Sequence, residues 1–168
     1  FPIPEKLTQY IIEAYRAGQT NYPPPAGTPE LLQAVASLYK DQMGVDYNTK
    51  GILAASGTRP LIYSAYSAIV DPGDLVIYGA PSWNNNHYCH ITGAIAAVVN
   101  TKMENRFMLS KDDIAPHLDK AVLLALNSPL NPSGTVLPEE QLRPICEMVL
   151  AENHERQRRG AKPLYILY

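Results

Sequence analysis

The stretch DLVIYGAPSWNNNHYCHITGAIAAVV, residues 74–99, contains two short apolar runs separated by a segment long enough for a helix. Neither run, DLVIYG at 74–79 nor AIAAVV at 94–99, alternates apolar with polar residues. Such runs predict strands that are buried on both faces. Buried strands joined through a helix are typical of a parallel sheet covered by helices, so this stretch predicts an α/β fold.

The same alternation continues on both sides of this stretch. Further apolar runs lie at 51–55 (GILAA), 121–126 (AVLLAL) and 163–168 (PLYILY), and helical patterns lie at about 4–18, 28–44, 60–70, 85–92, 111–118 and 138–159. We therefore expect a three-layer sandwich with a mostly parallel sheet. Ligands bind at the carboxyl ends of the strands in such sheets, which directs attention to the loops after Ala55, Gly79 and Leu126.

Composition excludes several classes of protein. The chain has 168 residues, 46% hydrophobic and 18% charged, which suits one globular domain with a real core. A net charge of -2 gives no sign of a nucleic-acid partner, and the basic cluster at 154–162 suits the end of a helix, where Gly160 is a natural cap. Two cysteines without paired spacing and no apolar run of about 18 residues predict a soluble, cytoplasmic protein without a membrane partner.

The ends of the chain are unusual. The sequence begins FPIPEKL without methionine and stops on an apolar run that is predicted to be a buried strand. Chain termini usually lie at the surface of a domain. We therefore expect the sequence to be a piece of a longer protein.

The loop SGTRP, residues 56–60, follows the first predicted strand. Gly57 allows close approach of the backbone to a ligand, the hydroxyls of Ser56 and Thr58 can donate hydrogen bonds, and Pro60 suits the start of a helix. A helix N-terminus with these groups can hold a phosphate. The alternative is a capped helix start without a ligand. The usual GxGxxG and GxxxxGK motifs are missing, so a dinucleotide or ATP site lacks its motif.

The loop APSWNNNHYCH, residues 80–90, carries the only tryptophan. Trp83 follows a strand end, where an indole can stack on a flat ligand, although a lone aromatic is also common in a core or at its rim. The spacing of His87, Cys89 and His90 fits no common zinc pattern. We expect these three residues to lie on a helix and predict no metal site.

The loop NSPLNPSGT, residues 127–135, contains more turn-forming residues than a connection needs. Pro129 and Pro132 restrict the backbone around Asn131, whose amide group both donates and accepts hydrogen bonds. An ordinary turn is the alternative. Two prolines bracketing one amide favour a ligand-binding role for Asn131.

Taken together, these loops resemble those of the fold-type I aminotransferases of class I/II, the aspartate aminotransferase-like family, which use pyridoxal 5'-phosphate (PLP). The resemblance runs from about Tyr22 to Tyr168, through NYPPPAGTPELLQAVASLY, SGT, DPGDLVIYGAPSW and NSPLNPSG. It implies that residues 19–168 are an incomplete large PLP-binding domain. Residues 1–18 are then a helix and linker toward the small domain.

The resemblance also implies roles for individual residues. The motif 56–58, Ser56, Gly57 and Thr58, would hold the cofactor phosphate, while the family varies at Arg59. Trp83 would stack on the pyridine ring, and Asn131 would bind the phenolic oxygen beside the substrate carboxylate. Tyr22 would reach the phosphate of a neighbouring subunit, which implies a homodimer. Cis peptide bonds are expected at Ala80–Pro81 and Asn131–Pro132.

Other groups of the family are missing from this chain. The Schiff-base lysine, the aspartate that pairs with the ring nitrogen and the arginines that hold the substrate carboxylate are expected after Tyr168. The SK pair at 110–111 resembles the lysine motif, but Lys111 precedes Asn131, and Ser110 with Asp113 is typical of a helix cap. No catalytic residue is therefore expected within the chain.

The function implied for the whole protein is transfer of an amino group from an L-amino acid to a 2-oxo acid, with the isolated chain inactive. A PLP-dependent lyase of the same fold shares every motif seen here. Some transcriptional regulators also carry an aminotransferase-like domain as an effector sensor. A doubly wound domain that binds another phosphate ligand is a further alternative.

Overall fold

The computed structural model describes residues 1–168, and the chain divides into two compact units, Phe1–Thr58 and Arg59–Tyr168. The predicted division at residue 18 concerns the large and small domains and stays a prediction. The helices and strands are, in chain order, α1 Glu5–Arg16, α2 Pro29–Met43, α3 Thr58–Ile69, β1 Leu75–Ala80, α4 Asn85–Thr92, β2 Ile95–Asn100, α5 Lys111–Ile114, β3 Ala121–Ala125, α6 Glu139–Arg158 and β4 Tyr165–Leu167.

The first unit contains α1 and α2, whose ends follow the sequence signals. The hydroxyl of Thr28 accepts a hydrogen bond from the N–H of Leu31 at 3.3 Å, and Pro29 occupies the first helical position of α2. Gly44 ends the helix with a left-handed φ of 68°, a conformation that glycine adopts without steric cost. The predicted caps of this helix are confirmed.

The predicted strand GILAA at 51–55 is absent, and this prediction is wrong. Residues Thr49–Gly51 form a 3₁₀ turn, and residues 52–55 form no ladder with another strand. The N–H of Ala54 instead donates to the carbonyl oxygen of Ala26 at 2.8 Å. A segment forms a β-strand only when its backbone pairs by hydrogen bonds with another strand. An apolar run without such a partner remains an irregular segment.

The second unit contains a four-stranded parallel sheet with the order β2-β1-β3-β4. This confirms the α/β fold with a parallel sheet, and the other four predicted strands are present within about two residues of their expected bounds. The predicted helix at 111–118 is shorter: α5 ends at Ile114 and a 3₁₀ turn follows at Ala115–His117. Pro116 lacks an N–H group and cannot continue the α-helical hydrogen bonds.

Helices cover both faces of this sheet. Neighbouring residues of a strand point to opposite faces, so one strand can pack against helices on both sides. On one face, Val76 of β1 packs with Tyr66 of α3 and Cys89 of α4. On the other face, Ile77 of β1 packs with helix residues of α5 and α6, namely Ile114, Ile145 and Val149. All five residues of β3 are buried, so the second unit has the three predicted layers.

Arg156 of α6 is the one buried charged side chain. Its guanidinium donates to Glu152 Oε1 at 2.8 Å, to the carbonyl oxygen of Lys162 at 3.0 Å and to that of Leu118 at 2.5 Å. These bonds tie the end of α6 to the turns that precede β3 and β4. None of the helices is both long enough and apolar enough to cross a membrane.

Candidate functional site

The carboxyl ends of β1 and β3 lie at one edge of the sheet, because the two strands are parallel neighbours. The loop after Ala80 carries the PSW motif, and the loop after Ala125 carries the NPSG motif. Cis peptide bonds occur at Ala80–Pro81 and Asn131–Pro132, as expected, and a third occurs at Ser128–Pro129. The fold therefore brings two of the predicted ligand-binding loops to adjacent strand ends.

Trp83 lies in the first of these loops with 56% of its surface exposed, and its indole forms no hydrogen bond within the chain. Asn84 follows with a left-handed φ of 65°, and α4 begins at Asn85. The side-chain NH₂ of Asn85 donates to Ser82 Oγ at 2.6 Å, and its oxygen accepts from the Tyr66 hydroxyl at 2.8 Å. The indole of Trp83 is therefore available to a ligand, while hydrogen bonds fix the neighbouring side chains of Ser82 and Asn85.

The second loop is closed by its own hydrogen bonds. The backbone N–H of Asn131 donates to Asn127 Oδ1 at 2.8 Å, and the N–H of Leu130 donates to the carbonyl oxygen of Thr135 at 2.8 Å. Ser128 Oγ accepts from the N–H of Leu137 at 2.8 Å. Asn131 itself is exposed, and its amide group forms no hydrogen bond within the chain. The loop is therefore ordered, and this amide is available to a ligand.

A small pocket of about 30 Å³ lies between the two loops. Ser82 and Asn85 line it from the first loop, and Asn127 and Leu130 line it from the second, while Phe107 covers it from the segment before α5. Its volume suits about one water molecule rather than a cofactor. Neither Trp83 nor Asn131 lines this pocket, so the two predicted ligand-binding side chains belong to the open surface beside it.

The predicted phosphate loop lies at the end of the first unit. Gly57 has a φ of 130°, and a Cβ atom built on it would meet no atom within 4 Å. Ser56 and Thr58 are exposed, and neither their hydroxyls nor the backbone N–H groups of Gly57 and Thr58 donate a hydrogen bond within the chain. Tyr22, the residue predicted to cross a dimer interface, is fully exposed in the same unit.

Burial favours the neutral forms of two side chains that lie under the first loop, Tyr66 and Cys89. Burial raises the pKa of the Tyr66 hydroxyl, and the nearby Cys89, Tyr78 and Tyr88 raise it further. Burial raises the pKa of the Cys89 thiol to about 11. His87, Cys89 and His90 all lie on α4, which confirms the predicted helix, and no cluster of three potential metal-ligating side chains is present.

The pocket between the loops has no charged lining residue. This part of the chain provides positioned hydrogen-bonding groups and an aromatic surface, but no acid or base for proton transfer. Sequence reasoning missed Tyr66, Ser82, Asn85 and Asn127, which hold the loops in place. The only sequence signal for Asn127 is its position four residues before Asn131, within the same loop.

Comparison of the sequence with known proteins identifies the family that this chain matches. The sequence profile described as "Aminotransferase class I and II" matches residues 3–154. Similar proteins include a probable aspartate/prephenate aminotransferase of Thermus aquaticus, 34% identical over 152 residues, and the bifunctional aspartate aminotransferase and glutamate/aspartate-prephenate aminotransferase of Petunia hybrida, 34% identical over 151 residues. Each match covers 89% of this chain, but only 40% and 32% of the respective relatives.

Solved structures that resemble this chain are also aminotransferases. The aspartate aminotransferase of Rhizobium meliloti superposes with a TM-score of 0.87 at 29% identity, covering 92% of this chain and 39% of that protein. The aromatic aminotransferase of Pyrococcus horikoshii superposes with a TM-score of 0.85 at 30% identity, covering 90% of this chain and 41% of that protein. The chain thus spans about 40% of the length of these structures and has the fold of the N-terminal part of a fold-type I enzyme.

Proposed function

Because the chain belongs to the family of class I and II aminotransferases, we propose that the whole protein transfers an amino group from an L-amino acid to a 2-oxo acid with PLP as cofactor. The observation that carries this proposal is the family match over residues 3–154. It is supported by the PSW and NPSG loops, which follow neighbouring parallel strands. The relatives named above are aminotransferases rather than lyases, which favours amino transfer over the lyase alternative.

The residues of the first unit suit a phosphate group. The hydroxyls of Ser56 and Thr58 and the N–H groups of Gly57 and Thr58 are free donors, and the absence of a side chain at Gly57 leaves the loop open. Free donors at the start of a helix favour an anion. In the proposal these three residues bind the cofactor phosphate, and Tyr22, being fully exposed, binds the phosphate of the partner subunit in a homodimer.

The residues of the second unit suit a flat, polar ring. The exposed indole of Trp83 covers one face of the ring, and the free amide of Asn131 binds the phenolic oxygen. When bound, PLP supplies an electron sink for the charge that remains after the α proton of the amino acid is removed. No lysine of this chain is proposed to transfer the proton, so the isolated chain is expected to be inactive.

Cytoplasmic localisation is part of the proposal, supported by two cysteines that form no disulfide.

Spectroscopy of the whole protein tests the proposal. After addition of PLP and removal of the unbound cofactor, the protein should retain a visible absorbance band, and borohydride should then fix the cofactor to the protein irreversibly. L-aspartate is the first amino acid to test, because similar proteins are named for it. It should bleach the band once, and a 2-oxo acid should restore it. Repeated turnover of the amino acid without a 2-oxo acid would indicate a lyase. A protein that retains no band after treatment with saturating PLP and removal of the unbound cofactor would refute the cofactor.

The variant Asn131→Ala tests the site itself. Asn131 is exposed, and its side chain makes no hydrogen bond within the chain, so its removal should change the free energy of unfolding by less than about 0.5 kcal/mol. PLP or the substrate carboxylate should nevertheless bind about fivefold or more weakly, the equivalent of one lost hydrogen bond. Lost stability with unchanged affinity would show that the loop is only a turn.

A further inference from the structure

The side chain of Trp83 is not held by polar contacts of its own. More than half of its surface is exposed, and its indole N–H makes no hydrogen bond within the chain. With no polar contact of its own, the indole depends for its position on the backbone that carries it. The conformation of the residues on each side of Trp83 therefore influences where the indole lies.

Both neighbours of Trp83 are fixed. On the C-terminal side, the carbonyl oxygen of Asn84 accepts from the N–H groups of His87 at 3.0 Å and Tyr88 at 3.2 Å, which joins Asn84 to the first turn of α4. On the N-terminal side, Ser82 Oγ accepts from the side-chain NH₂ of Asn85 at 2.6 Å. Asn85 thus folds back over the loop and holds the residue that precedes the tryptophan.

The side chain of Asn85 is in turn fixed by a hydrogen bond from the hydroxyl of Tyr66, a core residue. The Tyr66 hydroxyl donates to Asn85 Oδ1 at 2.8 Å, and the tyrosine is completely buried between α3 and the sheet. Its ring packs against that of Tyr88 with the centroids 5.2 Å apart. A buried hydroxyl needs a partner, because leaving it without one costs free energy. The series Tyr66–Asn85–Ser82 therefore connects a rigid core residue to a surface loop across three successive side chains.

We propose that Tyr66 and Asn85 are positioning residues that hold the Trp83 loop in the conformation that binds the cofactor ring. This inference rests on the proposed function for the identity of the ligand, but the effect on Trp83 is independent of it. Tyr66 acts through Asn85 and Ser82 and does not itself touch the ligand. Its hydroxyl matters because it orients the Asn85 amide, with the oxygen toward the core and the NH₂ toward Ser82.

The test compares Tyr66→Phe with Tyr88→Phe in the whole protein. Tyr88 lies in the same core cluster and is also buried, but its hydroxyl makes no hydrogen bond within the chain, so its removal is a matched control. The first readout is acrylamide quenching of the Trp83 emission in cofactor-free protein. This emission is isolated by subtracting the signal of the same protein carrying Trp83→Phe. The second readout is the dissociation constant of PLP.

Tyr66→Phe should alter the quenching of Trp83 and weaken PLP binding about fivefold, the effect of one lost hydrogen bond, while Tyr88→Phe leaves both unchanged. Ser82→Ala, at the surface end of the series, should reproduce the effect of Tyr66→Phe and serves if that variant fails to fold. Unchanged quenching in Tyr66→Phe and Ser82→Ala, or an equal change in Tyr88→Phe, would overturn the inference. If the wild-type protein does not bind PLP, the proposed function fails, and the quenching measurement still decides the role of Tyr66.

Discussion

The side-chain oxygen of Asn127 accepts a hydrogen bond from the backbone N–H of Asn131 at 2.8 Å. Asn127 lies two residues beyond the buried strand β3, whereas Asn131 lies at the exposed tip of the loop. The bond therefore connects the segment that directly follows the fully buried strand β3 to the residue that is proposed to bind the cofactor. It uses the backbone of Asn131 and leaves the side-chain amide of that residue free.

Removal of the Asn127 side chain should loosen this loop. In the whole protein, Asn127→Ala should weaken PLP binding about fivefold, because Asn131 loses the bond that orients it. Asn127→Asp retains an acceptor oxygen at the same position but adds a negative charge, so at high salt, which screens that charge, it should recover part of the affinity that Asn127→Ala loses. Titration of the visible absorbance band measures both affinities. Equal losses in the two variants would contradict a role for the accepted hydrogen bond.

The buried guanidinium of Arg156 should contribute strongly to the stability of the second unit. Arg156→Ala leaves two backbone carbonyl oxygens without their donor and leaves Glu152, 14% exposed at its side chain, with Arg159 as its remaining ionic partner. The lost hydrogen bonds and the loss of one of the two ionic partners of Glu152 should together cost about 2–4 kcal/mol. Chemical denaturation followed by circular dichroism should show this loss in the free energy of unfolding.

Arg158 provides the matched control for Arg156 on the same helix. It pairs with Glu155, but 72% of its side chain and 59% of that of its partner are exposed. Solvent screens such a pair, so Arg158→Ala should cost less than about 0.5 kcal/mol. Similar losses in the two variants would show that burial of Arg156 contributes little.

The ion pairs of Lys162 should make stability depend on pH at both extremes. Lys162 Nζ lies 2.7 Å from Asp74 Oδ2 and 2.9 Å from Asp71 Oδ2. Burial disfavours the charged form of Asp74, but hydrogen bonds from Lys162 and from the backbone N–H of Asp71 outweigh it and lower the pKa of this carboxyl below 3.8. The hydrogen bonds to Asp74 and then to Asp71 raise the pKa of Lys162 above 10.5.

The signs of these shifts define the pH window. A lowered carboxyl pKa stabilises the fold above 3.8 and the effect is lost as the pH falls through the folded-state value, whereas a raised lysine pKa stabilises below 10.5 and is lost as the pH rises through its folded-state value. Lys162→Met should therefore lower the free energy of unfolding in the neutral range, by less than about 1 kcal/mol because the lysine is partly exposed.

The pH profile of unfolding checks this expectation. The difference between wild type and Lys162→Met should shrink when the solution is acidified below the folded-state pKa of Asp74. Lys120→Met is the control, since Lys120 is exposed and forms no ion pair. A difference for Lys162→Met that persists after Asp74 has been protonated would contradict the ion-pair explanation.

Cys89 should be unreactive in the folded protein. Its side chain lies in the core with 3% exposure, and burial raises its thiol pKa to about 11. The thiolate is the reactive form, so alkylation by iodoacetamide near neutral pH should be about a hundredfold slower than in the unfolded protein. Peptide mass spectrometry follows the modification of Cys89 directly. Equal rates before and after unfolding would show that α4 opens readily.

Local signals in the sequence predicted most of the elements. Thr28, Pro29 and Gly44 delimit α2 through caps and backbone preferences that act within a few residues. The apolar runs of β1, β2, β3 and β4 were recognised because strands buried on both faces need uninterrupted apolar side chains. Four motif stretches in order, NYPPPAGTPELLQAVASLY, SGT, DPGDLVIYGAPSW and NSPLNPSG, are sufficient to indicate the family, and the profile match to the class I and II aminotransferases confirms that indication.

Only the tertiary structure decided which apolar runs become strands and which polar residues hold the loops. Residues 51–55 have the composition of a strand but no paired neighbour, and pairing is a long-range property that composition does not contain. Tyr66 and Asn85 are 19 residues apart, and packing of α3 against β1 and α4 brings them within hydrogen-bonding distance. The sequence by itself determined the family and most of the elements. The support of the Trp83 loop depends on contacts between elements, which exist only after the helices have packed on the sheet.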